Sequence, residues 1–178
     1  SAHLLAQMKV DMLNMSIDTL DPDLHRKITG VNDLDGILDA LRICVGTGMP
    51  CKVNVVVLAG INDHEIDTII AFCGSLGIKT VKLLDLMTDI EDGTETFVQR
   101  MRLLGFGSLR KLYLPLQNVA NSLRKRAIGE HRFRQAGGLG NPMISFTMPS
   151  GMSVIIKDHH AGAWYGSICN GCKHYPCS

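Results

Sequence analysis

Apolar residues at Leu34, Ile37, Leu38 and Leu41 recur at helical spacing, with the capping side chains Asn32 and Asp33 in front and Gly46 and Gly48 behind. This predicts a helix over 33–46. The run Val53-Asn54-Val55-Val56-Val57-Leu58 is β-branched and apolar apart from Asn54, as a strand covered on both faces would be. Gly60-Ile61-Asn62-Asp63 forms a turn ending in a good N-cap, and Ile66, Ile69, Ile70, Phe72 and Cys73 continue as a helical stripe over 63–76. Strands are expected at 12–17 and 79–87, so the order is strand, helix, strand, helix, strand. Such alternation argues for βαβ units and a parallel sheet, with functional residues gathered at the C-terminal ends of the strands.

The pattern changes after Asp92-Gly93. Helices are expected over 97–104 and 115–128, then two strands over 143–148 and 152–157 around Pro149-Ser150-Gly151, which is a hairpin signal with a loop longer than two residues. Gly137-Gly138-Leu139-Gly140-Asn141-Pro142 reads as a flexible connection. The division therefore falls near residue 93, between a unit over 1–93 and an extension over 94–178.

A hydrophobic content of 46% over 178 residues is enough for a real core. Eighteen basic against 17 acidic residues leave a net charge of +1, so no global field points to nucleic acid or to a membrane. The first residues show no secretion signal and no stretch approaches a membrane span, which makes the cytoplasm the expected location. Cys44, Cys51 and Cys73 lie among apolar residues, whereas Cys169, Cys172 and Cys177 crowd the last ten positions and suggest metal or redox chemistry.

The segments Asn14-Met15-Ser16-Ile17-Asp18-Thr19-Leu20-Asp21-Pro22, Lys27-Ile28-Thr29-Gly30, Lys52-Val53-Asn54-Val55-Val56, Gly60-Ile61-Asn62-Asp63 and Leu84-Asp85-Leu86-Met87 follow one another in a recognisable order. Together they resemble the radical S-adenosylmethionine family that holds the GTP 3′,8-cyclases of molybdenum-cofactor biosynthesis. The resemblance runs over about residues 8–90 and extends more loosely to Cys169-x-x-Cys172. It implies an α/β fold, a partial (β/α) TIM-like barrel in which 1–93 is the second half, followed by a C-terminal α+β extension over 94–178 that ends in a cysteine cluster. It also implies S-adenosylmethionine and [4Fe–4S] clusters as cofactors of the parent enzyme. No Cys-x3-Cys-x2-Cys occurs in the chain, so this piece alone is expected to be inactive.

The resemblance gives each candidate a role, and chemistry supplies a plainer alternative. Ser16, at a strand end, would contact S-adenosylmethionine, or simply cap the strand. Lys52 and Asn54 alternate onto one face of their strand and would meet substrate, Lys52 pairing with a triphosphate or carboxylate; the alternative is a lysine that snorkels to water. Met87 would touch the adenine of the cofactor, or fill core as any of nine methionines can. Cys169 and Cys172 form a C-x2-C knuckle to which Cys177 could add a third thiolate on a substrate-binding cluster, against a reduced or disulfide-linked tail. Lys173-His174-Tyr175-Pro176 stands where the family carries arginines for a triphosphate, which weakens the case for GTP. Asp18, Thr19 and Asp21 read as structural. His159, His160, His174 and Asp158 offer a zinc site with the cysteines, or solvated loop positions. Arg110, Lys111, Arg124, Lys125, Arg126, Arg132 and Arg134 read as a solvated basic face rather than a nucleic-acid platform.

The leading expectation is part of a radical enzyme acting on GTP. A relative acting on a peptide or another small molecule with an auxiliary cluster is the runner-up, and a non-catalytic zinc-binding module is the third reading. An apolar edge at 12–17 would recruit a second copy, giving a homodimer.

Overall fold

The structure is a computed structural model that describes residues 10–86, 96–106, 108–133 and 143–158. Its elements run β1 (Leu13–Ser16), α1 (Pro22–Thr29), α2 (Leu34–Gly46), β2 (Cys51–Val56), α3 (Ile66–Ser75), β3 (Thr80–Leu84), α4 (Thr96–Leu103), α5 (Gln117–Arg124), β4 (Gly129–Phe133), β5 (Met143–Thr147) and β6 (Ser153–Lys157). Short 3-10 turns precede α3 at Asp63–Glu65 and α5 at Leu109–Lys111. No helix among the described residues is long and apolar enough to cross a membrane.

The six strands form one mixed sheet in the order β1-β2-β3-β6-β5-β4. β1, β2, β3 and β6 are mutually parallel along the row, while β5 and β4 run antiparallel to their neighbours. The α/β class holds, and the described strands make an open sheet with β1 and β4 at its edges. The β5–β6 hairpin forms as expected, closed by Met148 N donating to Met152 O at 2.8 Å over a turn whose Gly151 takes φ 78°. That left-handed value is one glycine adopts without steric cost. β6 then leaves the hairpin to lie directly against β3.

Local chemistry explains most boundaries. Asp21 Oδ1 accepts from Asp23 N at 2.8 Å and Leu24 N at 3.0 Å, Pro22 begins α1, and Gly30 ends it with φ 84°. The expected strand at 53–58 starts earlier, at Cys51, and ends at Val56, with one further bond to β3 from Val57 N to Leu84 O at 2.9 Å. The helix expected over 115–128 stops at Arg124, because Ile128 N already donates to Thr147 O at 2.8 Å and opens a further strand. That strand, β4, escapes an apolar pattern search because it is a polar edge strand, with Glu130 and Arg132 on one side.

The main core lies on one face of the sheet. Val53 and Val55 of β2, Val81 and Leu83 of β3, Ile144 and Phe146 of β5, and Val154 and Ile156 of β6 pack there with Leu41 and Cys44 of α2, Ile69 and Cys73 of α3, and Ala120 and Leu123 of α5. A second cluster of Ile28, Leu58, Ile61, Leu86, Met101, Leu109 and Leu112 gathers beyond the C-terminal ends of β2 and β3. Each fully buried aliphatic side chain adds about 1.5–3 kcal/mol of hydrophobic stabilisation. α2, α3 and α5 are thus committed to one face, while α1 and α4 join the cluster beyond the strand ends, and the polar side chains are left to the other face.

Candidate functional site

Strand alternation puts the polar members of β1, β2, β3 and β6 together on the face opposite the main core. Ser16 pairs with Asn54, Asn54 with Lys82, and Lys82 with Ile155, so these residues form one row across four parallel strands. One pair towards the strand starts, Asn14, Lys52, Thr80 and Ser153 form a second row. Asn14 and Ser16 are exposed, while Lys52, Asn54, Thr80, Lys82 and Ser153 are half-buried. Lys157 stands beyond Lys82 on the same face of β6, in register with Leu84, and is nearly covered.

Lys52, Lys82 and Lys157 therefore step diagonally over three neighbouring strands, where diagonal neighbours lie about 7–8 Å apart. Among the described residues neither Lys52 nor Lys82 forms an ion pair. Burial, then the like charges of Lys157 and Lys52, hold the Lys82 ammonium down at about 8. Between the cations, Asn54 Oδ1 is buried with no hydrogen-bond partner. An unsatisfied buried amide oxygen costs about 1–3 kcal/mol unless something reaches it.

Polar side chains also organise the strand ends. Asp18 Oδ1 accepts from Val56 N at 2.7 Å. Burial raises the Asp18 carboxyl, opposed by that Val56 N–H and by His25. Asp158 is fully buried, accepts from Leu116 N at 3.0 Å and from Tyr113 Oη at 3.4 Å, and so ties the start of α5 to the end of β6. Burial, Asp158 and Asp85 push the Tyr113 phenol well above its usual range.

Ser16, Lys52 and Asn54 are thus brought together on one face, away from the helix-covered core. Asp18, Thr19 and Asp21, read as structural, all hold backbone in place. Met87, Cys169, Cys172, Cys177, His159, His160, His174 and Arg134 lie outside the described residues. Lys82 and Lys157 did not stand out in the sequence, although Lys82 between Val81 and Leu83 carries the same alternation as Lys52 and Asn54. In the basic stretch, Arg124 grips Glu130 through Nε at 2.7 Å and lies over the Phe146 ring, while Arg126 pairs with Asp67. Those arginines carry their own counterions.

The described residues of this face are hydrogen-bonding groups and cations rather than metal ligands. The exposed Ser16 hydroxyl and the orphaned Asn54 oxygen are neighbouring hydrogen-bonding groups. By contrast, Cys44, Cys51 and Cys73 are buried on the helix side, and burial pushes the Cys73 thiol up to about 12. They therefore lie away from the open face. No group of three His, Cys, Asp or Glu among the described residues could hold a metal ion.

Residues 1–73 match the family described as the Radical SAM superfamily. The chain is 30% identical over 124 residues to a probable GTP 3′,8-cyclase of Thermococcus kodakarensis, covering 70% of the chain and 36% of that protein. It is 40% identical over 74 residues to a GTP 3′,8-cyclase of Rhodopseudomonas palustris, covering 42% of the chain and 22% of that protein. A probable GTP 3′,8-cyclase of Pyrococcus abyssi is 29% identical over 131 residues, covering 74% of the chain and 41% of that protein. The chain therefore spans well under half the length of the relatives it matches.

Proposed function

From the radical SAM match over residues 1–73 and the similarity to GTP 3′,8-cyclases, we propose that this chain is part of a radical S-adenosylmethionine enzyme of the cyclase type, a lyase acting on GTP in molybdenum-cofactor biosynthesis. On this reading β1, β2 and β3 belong to a (β/α) barrel over 1–93, β4, β5 and β6 belong to an extension over 94–178 that continues the same sheet, and the open face is the lumen. The observation that carries it is the shared face of Ser16, Asn54 and Lys52, with Asn54 Oδ1 buried and unpartnered among them.

Ser16 would hydrogen-bond the amino-acid or ribose part of the cofactor, and Met87, outside the described residues, would meet its adenine. Lys52 offsets the charge of a triphosphate, and Asn54 orients the nucleotide from the next row. Cys169, Cys172 and Cys177 would supply the thiolates if an auxiliary cluster is bound. When bound, cluster and cofactor together supply a carbon radical able to abstract hydrogen from substrate. The 178 residues lack the Cys-x3-Cys-x2-Cys loop and do not start that chemistry alone. The Lys173-His174-Tyr175-Pro176 segment favours a second reading, a relative acting on a peptide or another small molecule. The edge strand β1 is the expected pairing surface of a homodimer, and the cytoplasm the expected setting.

The test is GTP binding by calorimetry in the complete gene product. Lys52→Ala is expected to weaken GTP about tenfold or more, since truncating one charged contact costs about 1.5–3 kcal/mol. Unchanged affinity removes GTP from this face.

A further inference from the structure

β1 and β2 share a regular ladder as far as Ser16 and Asn54, and its last backbone bond runs from Ile17 N to Asn54 O at 3.0 Å. Beyond it the two strands part, with Val56 N taken by the Asp18 carboxylate and Val57 N by β3. Two side chains from the single turn after β2 bridge that gap.

Asn62 is buried and uses its whole amide. Its Oδ1 accepts from Leu58 N at 2.7 Å, and its Nδ2 donates to Asp18 O at 2.7 Å and to Val56 O at 2.8 Å. Glu65 reaches the same segment from three residues further on. Its Oε1 accepts from the fully buried Thr19 Oγ1 at 2.6 Å and its Oε2 from Leu20 N at 3.0 Å. Thr19 Oγ1 in turn accepts from Asp21 N at 3.0 Å, and Asp21 caps α1. Every residue from Ile17 to Asp21 is therefore held by a named bond, and residues 18–20 answer to Asn62 or Glu65.

We infer that Asn62 and Glu65 are positioning residues for the adenosyl-cofactor contact: they fix the segment that leaves Ser16, and with it the stance of the Ser16 hydroxyl beside Asn54. The inference rests on the reading of Ser16 as that contact. Ser16 is exposed on a four-residue edge strand, so its ladder to β2 alone constrains it weakly. The side-chain bridge stands in for the backbone pairing that ends there.

The experiment is a double-mutant cycle on the complete gene product, reading the Kd of S-adenosylhomocysteine by calorimetry. Glu65→Gln keeps one acceptor oxygen where two were used. Asn62→Asp, isosteric but without the two donors, is the stronger perturbation, and the half-buried Glu65 position keeps the test open if that variant does not fold. Glu65→Gln is expected to weaken binding about tenfold, and Ser16→Ala plus Glu65→Gln no further than Ser16→Ala alone. Wild-type affinity in Glu65→Gln, or losses that multiply in the double variant, overturns the positioning role while leaving Ser16 as a contact. If Ser16→Ala leaves the Kd unchanged, the reading of Ser16 falls and the positioning role falls with it.

Discussion

Lys82 is the residue whose replacement reports most directly on the charged face. Its ammonium is half-buried between Lys52 and Lys157 and is lowered from 10.5 to about 8. A difference of that size corresponds to about 3 kcal/mol between charged and neutral forms, and because the side chain is only partly buried, about 1 kcal/mol is the expected share after solvent screening. The sign follows from proton counting. Between about 8 and 10.5 the unfolded chain keeps this proton while the folded chain has released it, so folding stability rises with pH across that window. Below about 8 the folded protein carries the full penalty of the confined charge. Lys82→Met keeps the apolar stem, and should raise stability at pH 7 by about 1 kcal/mol and flatten the rise above pH 8. Urea denaturation at a series of pH values, compared between wild type and variant, measures both. A variant less stable at pH 7, or a difference that does not shrink towards pH 10.5, refutes the account of Lys82 as a charge penalised by burial and by its lysine neighbours.

Two further outcomes follow from the packing. Asp21→Ala removes the acceptor for Asp23 N and Leu24 N at the start of α1 and should cost about 1 kcal/mol in thermal or urea unfolding, whereas an unchanged midpoint means the cap is not formed. Cys73, fully buried with its thiol raised to about 12, should resist a thiol reagent at pH 8 until denaturant is added, and rapid native-state labelling detected by mass spectrometry contradicts its burial.

The parallel βα part of the fold was legible because its strands bury one face of β-branched and aliphatic residues under helices, although the coverage of both faces expected for 53–58 is not found. Val53 to Val57 and Val81 to Leu86 announce themselves, and Asp21-Pro22 with Gly30 marks a helix at both ends. β4 was not legible: its residues serve an edge, where Glu130 answers Arg124 rather than a core. On the site, the alternation of Lys52 and Asn54 already placed them on one face. Lys82 and Lys157 come from strands far apart in sequence, and only the pairing of β3 with β6 makes them neighbours. Asn62 looked like a turn residue. Its three hydrogen bonds across residues 18, 56 and 58 depend on tertiary geometry that no local pattern carries.

The central claim is that the open face of the sheet receives the adenosyl cofactor at Ser16, at the end of β1. A crystal structure of the complete gene product with S-adenosylmethionine bound tests it most directly. The expected result is a cofactor oxygen or nitrogen within about 3 Å of Ser16 Oγ. Cofactor seated on the helix-covered face, or beside the N-terminal ends of β2 and β3, contradicts the account.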